Sequence, residues 1–267
     1  MLGDSNYSWR AKLERAHELT RTLEVETQQF LQRDPAPWVG FGGHSLDLKE
    51  FVFMAASRGL PPARFGVIAG EVIHHLRSSL DHIVWQLAVK KIGAPSPRLQ
   101  FPIFTKQDGY NDALKRGALR GIGPAALAVL ENLQPFKQPT PADTILAVVQ
   151  ELNNIDKHRL LVVLSTAAQI GNTIRIADGP WHFPGEKKMA GIVGMSPPAT
   201  VALTAQGVRV FSIQFSAPAP GIIAHASVEV NLAFEKAGAT TNFPVIRGLD
   251  HLSAGVSDTL DRLEALL

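Results

Sequence analysis

From Ser8 to Gln32 the apolar residues Trp9, Leu13, Ala16, Leu19, Leu23, Phe30 and Leu31 recur mostly at steps of three and four, the spacing that draws one stripe along a helix. The breaker cluster Asp34-Pro35-Ala36-Pro37 ends it. Between 38 and 60 the pattern shortens, and the run Phe51-Val52-Phe53-Met54 suits a strand or edge ribbon. A second helix opens at Pro61-Pro62, tolerated in a first turn, and runs to Ile92, where Gly93-Ala94-Pro95 stops it. Residues 93–121 read as irregular, with a short helix after Asp108, and Leu127, Leu130 and Leu133 mark another between Gly123 and Leu133. Thr140 or Asp143 starts the next helix, whose stripe Ile145, Val148, Val149, Leu152 and Ile155 carries it to about His158. The run Leu160-Leu161-Val162-Val163-Leu164 either continues that helix or begins a buried strand.

Beyond it the period falls to two. Thr173–Ala177, Ala199–Thr204, Val208–Phe215 and Ala226–Glu235 are β-branched or alternating, and Gln206-Gly207 marks a tight reversal. Val228, Val230, Leu232 and Phe234 share one face of the last run. This segment reads as an antiparallel sheet of about four or five strands. Finally Val245, Leu249, Leu252, Val256, Leu260, Leu263 and Leu267 form one long amphipathic helix. The expected fold class is α+β: a mostly α-helical bundle of residues 1–165, completed by the C-terminal helix 244–267, with an antiparallel β-sheet, 166–243, inserted before that helix.

Composition narrows this little. With 267 residues, 45% apolar and 19% charged, the chain has an ordinary globular balance, and a net charge of +2 gives no strong overall footprint for nucleic acid while leaving room for a local basic patch. The absence of cysteine removes disulfides, thiolate metal sites and cysteine nucleophiles. The N-terminal residues mix charge with apolar positions at helical spacing, unlike a secretion signal, and no run of about 18 apolar residues occurs. The expectation is a cytoplasmic protein with no membrane segment.

Chemistry concentrates on the second helix. At about 100° per residue, Ala69, Val72, Ile73, Leu76, Leu80, Ile83 and Leu87 fall on one side, the core side. Glu71, His74, His75, Ser78, Asp81, His82 and Trp85 fall on the other, and a large indole there implies a cover: a neighbouring helix, the sheet, a second copy or a ligand. The plainest reading is local hydrogen bonding with an Arg77–Asp81 i,i+4 ion pair. A metal reading uses Glu71 and His74, three apart as in bundle metal proteins, with His82, Asp156 and His158 as further donors for a divalent transition metal. A third reading joins the stripe to Asp156, His158 and Arg159, near a helix C-terminus that favours cations, in one cleft where histidine moves a proton and arginine holds developing oxyanion charge. Gly40-Phe41-Gly42-Gly43 reads as a turn rather than a phosphate loop, no Gly-x-Ser-x-Gly occurs, and His182, between prolines and aromatics, reads as a packed loop or a lid.

Arg77-Ser78-Ser79-Leu80-Asp81-His82 resembles the R-x4-H motif, with a polar residue after the arginine, of the HEPN superfamily of helical-bundle ribonucleases. The wider layout, with LRSSLDHIVWQL and DKHRLL, looks like a group of uncharacterised bacterial and phage helical-bundle proteins. The HEPN resemblance implies metal-independent cleavage of RNA at a homodimer interface, with Arg77 and His82 of each protomer facing the scissile phosphate and Ser78 supporting them. On this reading the candidate catalytic residues are Arg77, Ser78, Asp81, His82, Asp156, His158 and Arg159, the partner is RNA, and no cofactor is used. The alternatives are a metal-dependent bundle enzyme and a non-catalytic binding or oligomerisation module.

Overall fold

A computed structural model describes residues 8–161, 163–169, 175–178, 192–195, 200–219, 222–225, 228–237 and 240–267. It contains α-helices and antiparallel sheets arranged as two compact units. A helical unit takes Met1–Glu26, Pro62–Val163 and Phe234–Leu267, and a sheet unit takes Thr27–Pro61 and Leu164–Ala233.

In the helical unit, α1 (Ser8–Leu31, whose last turn belongs to the other unit), α2 (Ala63–Ile92), α3 (Gln107–Lys115), α4 (Pro124–Asn132), α5 (Ile145–His158) and α6 (Val245–Glu264) follow the expected order. The α2 helix packs against α5 and α6, which also meet each other. Its Val72, Ile73, Leu76, Leu80 and Ile83 are fully buried, as are Val149 and Leu152 of α5 and Leu249, Val256, Leu260 and Leu263 of α6. Each fully buried side chain of this kind contributes about 1.5–3 kcal/mol against exposure. Trp9 anchors the start of α1, its indole N–H donating to Glu264, and Arg10 pairs with Asp261 and Glu264. Pro62, with its fixed φ, opens α2. Gly93 closes it at φ +76°, its N–H returning to Val89 O at 2.8 Å. Thr144 caps α5 by accepting from the Ala147 N–H.

In the sheet unit, β1 (Trp38–His44) and β2 (Glu50–Ser57) form an antiparallel hairpin. Strand β3 (Val163–Gln169) resolves the open question at 160–164, since α5 ends at His158 and Arg159 is already extended, at φ −160° and ψ 154°. The remaining strands of this unit are β4 (Arg175–Asp178), β5 (Ile192–Met195), β6 (Thr200–Ala202), β7 (Val208–Phe215), β8 (Ile222–His225) and the start of β9 (Val228–Ala237), whose end belongs to the helical unit, as does β10 (Thr240–Pro244), which leads the chain back to α6. One sheet has the order β1-β2-β7-β5, β4 pairs with β8, and β9, β3 and β6 lie side by side in another. Phe51, Phe211, Ile213 and Phe215 form one core cluster and Ala55, Leu203 and Val210 another. Gly207, at φ +89°, makes the expected reversal into β7.

Two expectations are corrected. The sheet is not a single insertion before the last helix, because β2 runs antiparallel to β7, pairing Phe51 with Ile213 and Phe53 with Phe211. Composition marked residues 51–54 as a strand and β-branched alternation marked Val208–Phe215, but neither can name a partner so far along the chain. Gly40-Phe41-Gly42-Gly43 is not a turn but part of β1: a Cβ on Gly40 would lie 2.7 Å from the Phe53 ring and one on Gly42 2.4 Å from the Phe51 ring. Those glycines let aromatic rings cross the strand. His182 lies outside the described residues, as do parts of the strands expected at 173–177, 199–204 and 226–235.

Candidate functional site

Arg77 is 8% exposed on the inner side of α2. A guanidinium can only donate, so its burial demands acceptors. Nη1 donates to Asp81 Oδ1 at 2.7 Å, Nε to Gln150 Oε1 at 2.9 Å and Nη2 to the Phe101 carbonyl at 2.9 Å. Asp81 Oδ1 also accepts the Phe101 N–H at 2.8 Å. Burial lowers the Arg77 pKa and raises that of Asp81, each shift opposed by the partner's charge. Fully buried Gln134 continues this work, donating to the Pro102 carbonyl and accepting from the Phe104 N–H. Thus in the segment 101–104, which joins no sheet ladder, the N–H and carbonyl of Phe101, the carbonyl of Pro102 and the N–H of Phe104 find side-chain partners.

His82 lies five residues on, about 140° round the helix. Its Nδ1 is 3.0 Å from Ser8 Oγ on α1, and burial followed by the Lys12 charge lowers its pKa. Arg77 and His82 therefore address different neighbours within one chain. Ser78 and Trp85 are half-buried beside them.

Asp156 occupies a third position. Its carboxylate lies where a side chain on Gly70 would be, 2.0 Å from a Cβ built there. A Cβ on Gly66 would likewise lie 2.4 Å from the Leu161 carbonyl oxygen. These two glycines, i and i+4 on α2, let the end of α5 and the residues after it approach closely. Burial raises the Asp156 pKa, opposed by nearby His74 and reinforced by Glu71. The His74 and His75 rings meet edge to face at 5.9 Å, and His75 is kept below its ordinary value by burial and then by Lys12. So Glu71, His74 and Asp156 share one neighbourhood, while His82 and His158 lie elsewhere. Among the described residues no three His, Asp or Glu side chains converge as metal ligands.

His158 and Arg159, both exposed, line a hollow of about 720 Å³ between α5 and residues 103–109. Lys106 stands on its rim, and Ile103, Phe104 and Ile155 give it apolar walls. A second hollow of about 420 Å³ is lined by Arg77, Arg98 and Tyr110. The two share Ile103, Phe104, Gln150 and Asn154, and so form one groove. Among the described residues Arg98, Lys106 and Arg159 enter no ion pair. Gln150 Nε2 donates to Asn154 Oδ1 at 2.9 Å in the groove's middle.

Of the residues expected to act together, the structure joins Arg77 with Asp81, and His158 with Arg159, on two parts of one groove, while His82 is engaged with Ser8 and Asp156 packs against Gly70. The reading from sequence missed Arg98, Phe104, Lys106, Gln150 and Asn154. A signal existed for two of them, since Gln150 and Asn154 are i,i+4 on a helix that was expected. Gly66 and Gly70 also announced, by their spacing, a close approach to α2. No protein-family model, no curated protein and no solved structure matches the chain.

Proposed function

We propose that the helical unit binds single-stranded RNA along the groove of α5 and residues 98–109. The observation that carries this reading is the excess of cations on the groove, Arg98, Lys106 and Arg159, in no ion pair among the described residues and set against the single carboxylate of Glu151, above apolar and aromatic walls that include Phe104. Cations without carboxylate partners attract phosphates, and flat apolar surface receives bases; the two together are what single strands require. A net charge of +2 is no obstacle, because the excess is local.

A second reading, metal-independent cleavage of the bound strand, is favoured by His158 and Arg159 lining the same hollow. In that reading the 2′-hydroxyl attacks phosphorus as its proton passes to His158, the 5′-oxygen departs and takes a proton from water, and Arg159 holds the phosphoryl charge. Arg77 and Asp81 then act by holding the groove's wall, and His82, engaged with Ser8, stays outside the chemistry.

Anisotropy of a labelled single-stranded RNA of mixed sequence tests the first reading. Lys106→Ala combined with Arg159→Ala is expected to weaken binding about ten-fold, two phosphate contacts being lost; equal affinity would place the RNA elsewhere. For the second, cleavage in chelator should vanish in His158→Ala while binding persists. Cleavage that survives that change rules His158 out.

A further inference from the structure

The groove contains one polar device that the phosphate rim does not explain. Gln150 and Asn154 are neutral amides on consecutive turns of α5, and both line both hollows. Their orientations follow from Arg77. Its Nε–H can only donate, so Gln150 must turn its carbonyl oxygen toward it. That leaves Gln150 Nε2 facing Asn154, which must therefore present Oδ1 to it. The order arginine, carbonyl, amine, carbonyl propagates along the row and ends on the Asn154 NH₂. Asn154 is exposed and lines the groove, and among the described residues both hydrogens of this group are free while one lone pair of its oxygen is taken by Gln150.

An amide ordinarily accepts either a donor or an acceptor, because it can flip. Here the flip is blocked at its source by a buried guanidinium, itself held by Asp81 and Phe101. The junction therefore presents two hydrogens to the groove beside one remaining lone pair of Oδ1. A pyrimidine whose position 4 meets this NH₂ is told apart by it, because there uracil carries an acceptor oxygen where cytosine carries a donor amine.

We infer that Asn154, oriented by Gln150 and Arg77, is a base-selecting subsite that favours a carbonyl-bearing base edge, uracil over cytosine. This rests on the RNA-binding reading. Arg77 and Gln150 are positioning residues in it, and Asn154 is the one that touches the base.

The test compares oligouridine and oligocytidine of equal length by anisotropy on the full chain. The parent is expected to bind oligouridine about ten-fold more tightly, the consequence of one matched bond against one clash of donors. Asn154→Asp keeps an oxygen toward Gln150 and turns the other into the groove, so both affinities fall and the order reverses. Gln150→Ala frees Asn154 to flip: binding to both oligomers persists and their ratio moves toward one, a change that a merely structural role would not cause. Equal binding of the two oligomers by the parent, or an unchanged ratio in Asn154→Asp, overturns the inference and leaves RNA binding standing. Failure to bind either oligomer at low salt overturns both. A circular-dichroism melt of each variant, on exposed or half-exposed positions, separates these outcomes from unfolding.

Discussion

Arg77 resembles a catalytic arginine in sequence, yet its three hydrogen bonds go to Asp81, Gln150 and the Phe101 carbonyl. Its loss has two costs: the packing of a long buried side chain, and an Asp81 carboxylate left without its cation. Asp81 keeps part of its surface wet, with a side chain 29% exposed, which moderates the second. Arg77→Ala is expected to lower stability by roughly 3 kcal/mol, the low end for breaking a buried pair, read as a fall in urea midpoint at unchanged slope. A change below about 0.5 kcal/mol, ordinary for a surface substitution, would contradict the clamp. The motif was visible in the sequence; the direction of the side chain was not, since nothing local says that residues 101–104 lie beside it.

At the level of elements, α2 separates chemistries that its sequence places within three turns. One side carries Arg77 toward α5, and a broader one carries Glu71 and His74 beside Asp156 and, next to them, His75 and His82 under the influence of α1's Lys12. Burial and that lysine hold both histidines below their ordinary value. Such a group stays neutral in the folded chain while the unfolded chain takes up a proton, so its contribution is fully present above the unfolded pKa and is lost as pH falls from there through the folded pKa. Stability should therefore drop between about pH 7.5 and about pH 5.5, either side of the ordinary imidazole value. Urea unfolding at the two pH values measures this, and His75→Gln with His82→Gln should flatten the difference. An equal drop in the double variant would assign it elsewhere. Asp81 and Asp156, whose carboxyls are raised by burial, act in the opposite sense, gaining stability as pH falls toward the carboxylate range.

For the whole molecule, the sum of charge misleads because its distribution matters. A net +2 hides three cations, Arg98, Lys106 and Arg159, gathered on one groove against the single carboxylate of Glu151 and, among the described residues, in no ion pair. If they hold RNA phosphates, the logarithm of affinity should fall against the logarithm of salt with a slope of about −2, three contacts at about −0.7 each. Titrating salt in the anisotropy assay reads that slope directly, and a value near zero would remove the cationic rim from binding. Among the described residues no helix is long and apolar enough to cross a membrane, in keeping with the pattern of the sequence.

The chain by itself determined its helices, because periodicity, proline and glycine act within a few residues: Pro62 and Gly93 bound α2, and the stripe of α6 is continuous from Val245 to Leu263. It also determined that strands would follow α5. Tertiary structure alone decided that β2 joins β7, that Asp156 rests on Gly70 while His158 turns to the groove, and that Gln150 and Asn154 form a row behind Arg77. The physical reason is range. Local preference reads a helix face to within a turn, but which groups meet across elements depends on how closely backbones approach, and that is set by glycines, buried charges and packing acting together.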